Sequence, residues 1–183
     1  MAVTQRWAAD EASERVRDAL GSRVGSVEVN LGDVVVRCER DQLPEVVRVL
    51  RDEGGFTFFS FLSAVDWSEY TVEEGEPTRE LEVLVHLYAP DHAAHVTVRV
   101  PVSFADPTCP TISGLFLGAL WHEREMWDMY GIGFTGHPNL VRLYLPEDFD
   151  GHPGLKAFKL PSRTLVKEWP GAKDPDEAAA GGR

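Results

Sequence analysis

ELEVLVHLYAPDHAAHVTVRVPV, residues Glu80 to Val102, alternates apolar and polar side chains on both sides of a short polar break. Glu80 to Tyr88 and His95 to Val102 each keep a period of two, the signature of strands with one buried and one exposed face. The break, Ala89 to Ala94, is short enough to join them as an antiparallel hairpin. Upstream, Phe56 to Trp67 (FTFFSFLSAVDW) is apolar and aromatic and reads as a buried strand turning at Asp66. Asp66 could be an acid at a strand end, but a turn-former bonded to its own backbone is the preferred reading. Glu69 to Thr78 is acidic and contains Gly75 and Pro77, so it is a loop.

Further out, Val24 to Leu31 and Val34 to Cys38 are β-rich, and Gly32-Asp33 between them predicts a second hairpin. Asp10 to Leu20 predicts an amphipathic helix, with Ala12, Val16, Ala19 and Leu20 on one face and Gly21 as its stop. Leu43 to Arg51 predicts another, with Pro44 early, where its missing N–H does no harm. Asp106 to Pro110 should break the sheet. Ser113 to Tyr130 (SGLFLGALWHEREMWDMY) predicts a long helix, capped by Ser113 and ended by Gly131. From Gly133 to Pro175 the chain is rich in Gly and Pro, and such a stretch cannot build its own core. The expected fold is α+β: a mixed β-sheet packed with helices in two layers. Residues 1–130 form that domain, and residues 131–183 form an extended partner-binding arm whose terminus is expected to be flexible.

The chain has 183 residues and a formal net charge of -12, which argues against nucleic acid and against adhesion to anionic lipid. No apolar run is long enough to cross a bilayer, and the first twenty residues lack the apolar core of a secretory signal. The chain is therefore expected to stay in the cytoplasm unless a partner holds it at a membrane. Cys38 and Cys109 are the only cysteines, too few for a usual iron–sulfur cluster. A protein like this in an electron-transfer system would not itself carry the electrons.

The long helix holds the chemistry. Trp121, Glu125 and Asp128 fall on one side, with Arg124 four residues before Asp128, and Arg142 and His137 downstream are the local candidates to pair with these acids. The sharp interpretation of this cluster is a metal-dependent enzyme using His122, Glu125 and Asp128; the bland one is a solvated helix face. An ion-paired docking surface lies between them and is favoured, because Trp121, Trp127 and Tyr130 flank the charges. His122-Glu123-Arg124-Glu125-Met126 resembles a zinc-protease motif but has Met126 where the second histidine belongs. His92 and His95 share a turn and could bind metal weakly. No nucleophilic triad, Rossmann loop or P-loop is visible.

The run Glu123 to Leu140, with its second Gly-His-Pro at Gly151 to Pro153, resembles the signature of the thirty-kilodalton family of complex I, its C-type subunit. The resemblance extends from about residue 30 to about residue 175 and includes FTFFSFLSAVDW and both strands of the central hairpin. Trp169 to Lys173 resembles actinobacterial members. The chain departs from the family at Val141, Leu155 and Ala157, where basic or acidic residues are usual. The resemblance implies a cofactor-free structural and assembly subunit of the hydrophilic arm of a proton-translocating NADH:quinone oxidoreductase. The isolated chain is then non-catalytic and binds no metal. Flavin, iron–sulfur clusters and quinone would belong to partner subunits, above all the D-type subunit at the quinone site and the B-type, cluster-bearing one. The implied interface residues are Trp121, Glu123, Arg124, Glu125, Asp128, Tyr130, His137, Arg142, His152, Lys156, Phe158 and Trp169. A homologous component of a membrane-bound hydrogenase or formate hydrogenlyase is the alternative within the same resemblance.

Overall fold

The computed structural model describes residues 5–70 and 80–160. Along the chain these form α1 (Ala9–Leu20), β1 (Ser26–Asn30), β2 (Asp33–Arg37), α2 (Leu43–Asp52), β3 (Phe58–Asp66), β4 (Leu81–Ala89), β5 (Ala94–Val102), β6 (Thr108–Pro110), α3 (Ala119–Tyr130) and β7 (Gly133–Thr135). The first five strands make one sheet in the order β1-β2-β5-β4-β3. Its centre is the expected hairpin, β4 and β5, in register from Leu81–Val102 to Ala89–Ala94. The alternation buries Val83, Val85, Leu87, Val96, Val98 and Val100 completely on one face. Each such side chain contributes about 1.5–3 kcal/mol relative to exposure. β2 runs parallel to β5, because the chain leaves β2 through α2 and crosses to β3 at the opposite edge before returning. That crossover makes the sheet mixed.

Helices α1 and α2 supply the second layer. Val16, Leu20, Leu43, Val46, Val47, Val49 and Leu50 join the sheet in one core. The alternate hairpin residues Leu84, His86, Tyr88, Thr97 and Arg99 point to the other face and are only half-buried.

Three expectations need correction. Thr108 to Pro110 does not simply break the sheet: it pairs in parallel with β7, placing Cys109 opposite Phe134. Both of those residues are buried, as is Ile132, so the expected boundary at residue 130 cuts through a packed unit. The long helix starts at Ala119, not Ser113, with Gly118 at its N-terminus and no side-chain cap. The Ser113 hydroxyl pairs instead with that of Thr111, and the segment before Ala119 runs through turns such as Leu115 N to Ile112 O. Gly131 does end the helix, in the left-handed region at φ 75°, and a β-carbon there would come within 2.9 Å of the His152 ring. Most of the acidic loop Glu69 to Thr78, and the arm beyond Leu160 including Trp169, lie outside the described residues.

Candidate functional site

Helix α3 is the hub of the motif, and two of its three acids turn inward, while Glu125 stays partly exposed 3.9 Å from His122 Nδ1. Glu123 is 0% exposed. One carboxylate oxygen accepts from the Ile112 amide at 2.8 Å and the other from the Thr111 hydroxyl at 2.5 Å. His137 Nε2 lies 4.0 Å away. That ring is fixed by backbone: Nδ1 accepts from the Asn139 amide at 3.0 Å, so Nε2 carries the proton and donates it to Leu120 O at 3.1 Å. Burial raises the Glu123 pKa, and the Thr111 and Ile112 hydrogen bonds offset this only in part.

Asp128, 1% exposed, folds the chain that follows. One oxygen accepts from three successive amides, Leu143, Tyr144 and Leu145, at 3.2, 2.9 and 3.0 Å. The other accepts from Arg142 at 2.9 Å, and Arg142 also donates to Phe149 O. Burial works to raise the Asp128 pKa, but these hydrogen bonds outweigh it and hold the carboxyl below its ordinary value.

The same device recurs at Asp66. Its carboxylate caps the turn through the Ser68 amide, as expected, and its second oxygen accepts from the Lys156 amide, 90 residues on, at 2.8 Å. Burial again works to raise the pKa, and hydrogen bonding overcomes it and lowers the value. His152 Nδ1 donates to Asp128 O, and the Gly154 amide donates to Met129 O at 2.8 Å. A β-carbon on Gly154 would collide with that carbonyl and the Tyr130 ring, so only glycine permits this approach. Phe158 stacks on Phe149.

Several residues expected to meet other chains are therefore engaged within this one. Glu123, Asp128 and the His137 side chain face inward, because buried carboxylates need donors and the neighbouring loops supply them. Arg142, His152 and the Lys156 backbone are the other halves of these bonds. Outside, beside the exposed Lys156 side chain and the partly exposed Glu125, lies an apolar set. Trp121 is 59% exposed, with Leu117 (79%), Val141 and Tyr144 (64%) also on the surface. Arg124 lies over the Trp121 ring at 5.1 Å while donating to Val141 O and Arg142 O. It ties the tryptophan to the loop that Asp128 organises. Sequence reasoning picks out Trp121 and Arg124 but misses Leu117 and Tyr144, whose exposure depends on where the helix and loop turn.

The metal-enzyme interpretation fails on geometry. His122 Nδ1 bonds to Leu62 O, Asp128 is occupied, and among the described residues no group of three or more His, Cys, Asp or Glu could hold a metal ion. The His92–His95 pair does not form either. His92 stacks on Trp7 with ring centroids 3.8 Å apart, while His95 meets His86 across the hairpin. Also unforeseen is Glu82, buried on β4, which accepts from Arg37, Arg99 and the Trp67 indole. Only the strand register brings those four together.

The sequence profile of the family described as respiratory-chain NADH dehydrogenase, 30 Kd subunit, matches residues 36–164. The C subunit of the NADH-quinone oxidoreductase of Herpetosiphon aurantiacus is 45% identical over 131 residues, which are 70% of this chain and 72% of that protein. Its namesake in Salinispora arenicola is 32% identical over 165 residues, covering 90% of this chain and 65% of the relative. Among solved structures, the trypsin-resistant fragment (1–134) of Nqo5 superposes with a TM-score of 0.61 at 29% identity, covering 70% of this chain and 99% of the fragment.

Proposed function

The chain belongs to the respiratory-chain NADH dehydrogenase 30 kDa family, the C-type subunit of complex I, and from that premise we propose that it is a cofactor-free assembly component of the complex's hydrophilic arm. In this role it docks other subunits and leaves the passage of electrons from NADH to quinone, and proton translocation, to the assembled complex. The observation that carries the proposal is the exposed apolar set of Leu117, Trp121, Val141 and Tyr144. An exposed tryptophan held by a stacked arginine, itself anchored on two carbonyls, is pre-organised. Little side-chain entropy is lost when it enters a partner's pocket. The partners are the D-type subunit at the quinone site and the B-type, cluster-bearing one.

The chain's own chemistry supports the lack of a redox centre. Its two thiols are buried, and burial pushes both up to about 12, so neither is a ready thiolate ligand. No helix of the described residues is long and apolar enough to cross a membrane, which fits attachment through neighbouring subunits on the cytoplasmic side. The test is purification of a tagged chain from native membranes. The cluster-bearing and quinone-site subunits should accompany it, while the chain purified alone should show no flavin or iron–sulfur absorption and no NADH oxidation. A chromophore in the isolated chain, or recovery only as a soluble monomer, would refute the proposal.

A further inference from the structure

His86 on β4 and His95 on β5 lie side by side on the half-open face of the sheet. The register pairs His86 with Thr97 and Tyr88 with His95, so the two imidazoles meet on the diagonal. His86 Nε2 is 3.1 Å from His95 Nδ1. Both rings are held in place. His86 Nδ1 is 2.9 Å from the Thr97 hydroxyl, and Phe61 stacks flat on the same ring at 5.1 Å. Tyr88 lies against His95 with centroids 4.6 Å apart.

We propose that His86 Nε2 and His95 Nδ1 form a two-imidazole site for a divalent transition metal of the Zn2+ class, with water completing the coordination shell. Two nitrogens, each about 2.0–2.1 Å from one zinc ion, stand roughly 2.9–3.4 Å apart between right-angle and tetrahedral arrangements. The observed separation already falls in that range. Neutral imidazole is the donor this class of ion prefers over the oxygen ligands of Mg2+ and Ca2+. Asp33 lies near enough for its charge to act on His86. The negative charge of Asp33 also favours a cation nearby.

Binding needs a change of tautomer and a turn of the rings that brings both lone pairs onto the ion, which sits off the line between the nitrogens. In the metal-free pair one proton lies between the facing nitrogens. In the bound pair His86 carries its proton on Nδ1 and gives it to Thr97 Oγ1, which orients the ring as an outer hydrogen-bond partner does. His95 carries its proton on Nε2. Neutral rings therefore release no net proton. With two protein ligands the ion is exchangeable and redox-inert, so the site does not depend on the docking proposal and does not make the chain an electron carrier.

The experiment is a Zn2+ titration of the full chain by calorimetry, with Co2+ absorption as the spectroscopic reporter. One ion per chain is expected. His95→Ala and His86→Ala should each weaken binding by roughly tenfold or more. His92→Ala should leave it unchanged. His95 is exposed, so its variant should keep the native circular dichroism spectrum. No uptake in excess ion, or uptake that survives His95→Ala, would overturn the site.

Discussion

The central hairpin and the segment from Val141 to Leu160 are both ordered, by opposite means. The hairpin is held by apolar burial along two alternating strands. The segment is held by carboxylates that reach out from elsewhere: Asp128 takes three amides and Arg142, and Asp66 takes the Lys156 amide. Apolar burial is non-directional and spread over many residues. Carboxylate-to-amide bonds are few and directional, and losing one acceptor leaves several part-buried donors unsatisfied at once. The hairpin should therefore lose stability gradually and globally, and the segment sharply and locally.

Leu87→Ala should give the largest effect on global stability. Truncating a fully buried hairpin residue costs about 2–5 kcal/mol, and the urea midpoint of the entire domain should fall in one transition. Asp128→Ala comes next, at about 2–3 kcal/mol, because it leaves Arg142 and three amides without their acceptor. Its effect should be confined to the segment: trypsin should cut at Arg142, Lys156 or Lys159 while the far-ultraviolet spectrum of the sheet persists. If Asp128→Ala unfolds the sheet together with the segment, the two regions are one cooperative unit and the contrast fails.

Acid separates the same groups. Asp66 and Asp128 have lowered pKa values, so their contribution is present above the unfolded carboxylate pKa of about 3.9 and is lost as pH falls through the lower folded values. Glu123 has the opposite sign. Its raised pKa means that its carboxyl form is the favoured one, so its contribution is complete below the unfolded value of about 4.3 and declines as pH rises through the folded value. Glu123→Gln keeps an acceptor for Ile112 and removes the buried charge. It should change stability at pH 7 by no more than about 1 kcal/mol, neutral or stabilising, with the gain over wild type shrinking toward pH 4. A large loss at pH 7, measured by urea denaturation, would show that the ionised form is required.

These contrasts explain what could be read in advance. Helices α1 and α2 and strands β1 to β5 follow from periodicity, which is local and repeats. β6 and β7 have three residues each, too few for a period, and Pro107 and Pro110 near Cys109 read as a break. Ser113 is a good cap by type, yet Glu123 draws the Ile112 amide and the helix begins six residues later. The acids of α3 stand out by type and spacing, but whether they face inward or outward depends on loops distant in sequence. Asp66 is half legible: its turn is local, while its bond to Lys156 spans 90 residues. His95 draws notice beside the wrong partner, because nearness in sequence points to His92 whereas register selects His86.

Trp121 closes the series with the smallest expected effect on stability. Being mostly exposed, it should change stability, measured by urea denaturation, by less than about 0.5 kcal/mol when truncated. Its importance should appear only in assembly, which makes it the most direct probe of a chain whose work is to dock. The measurement is quantitative affinity purification of the full chain from native membranes, comparing wild type with Trp121→Ala/Tyr144→Ala at matched folding by circular dichroism. The double variant should remain folded and lose its partner subunits; recovery of the same partners in the same amounts would contradict the docking role of these exposed side chains.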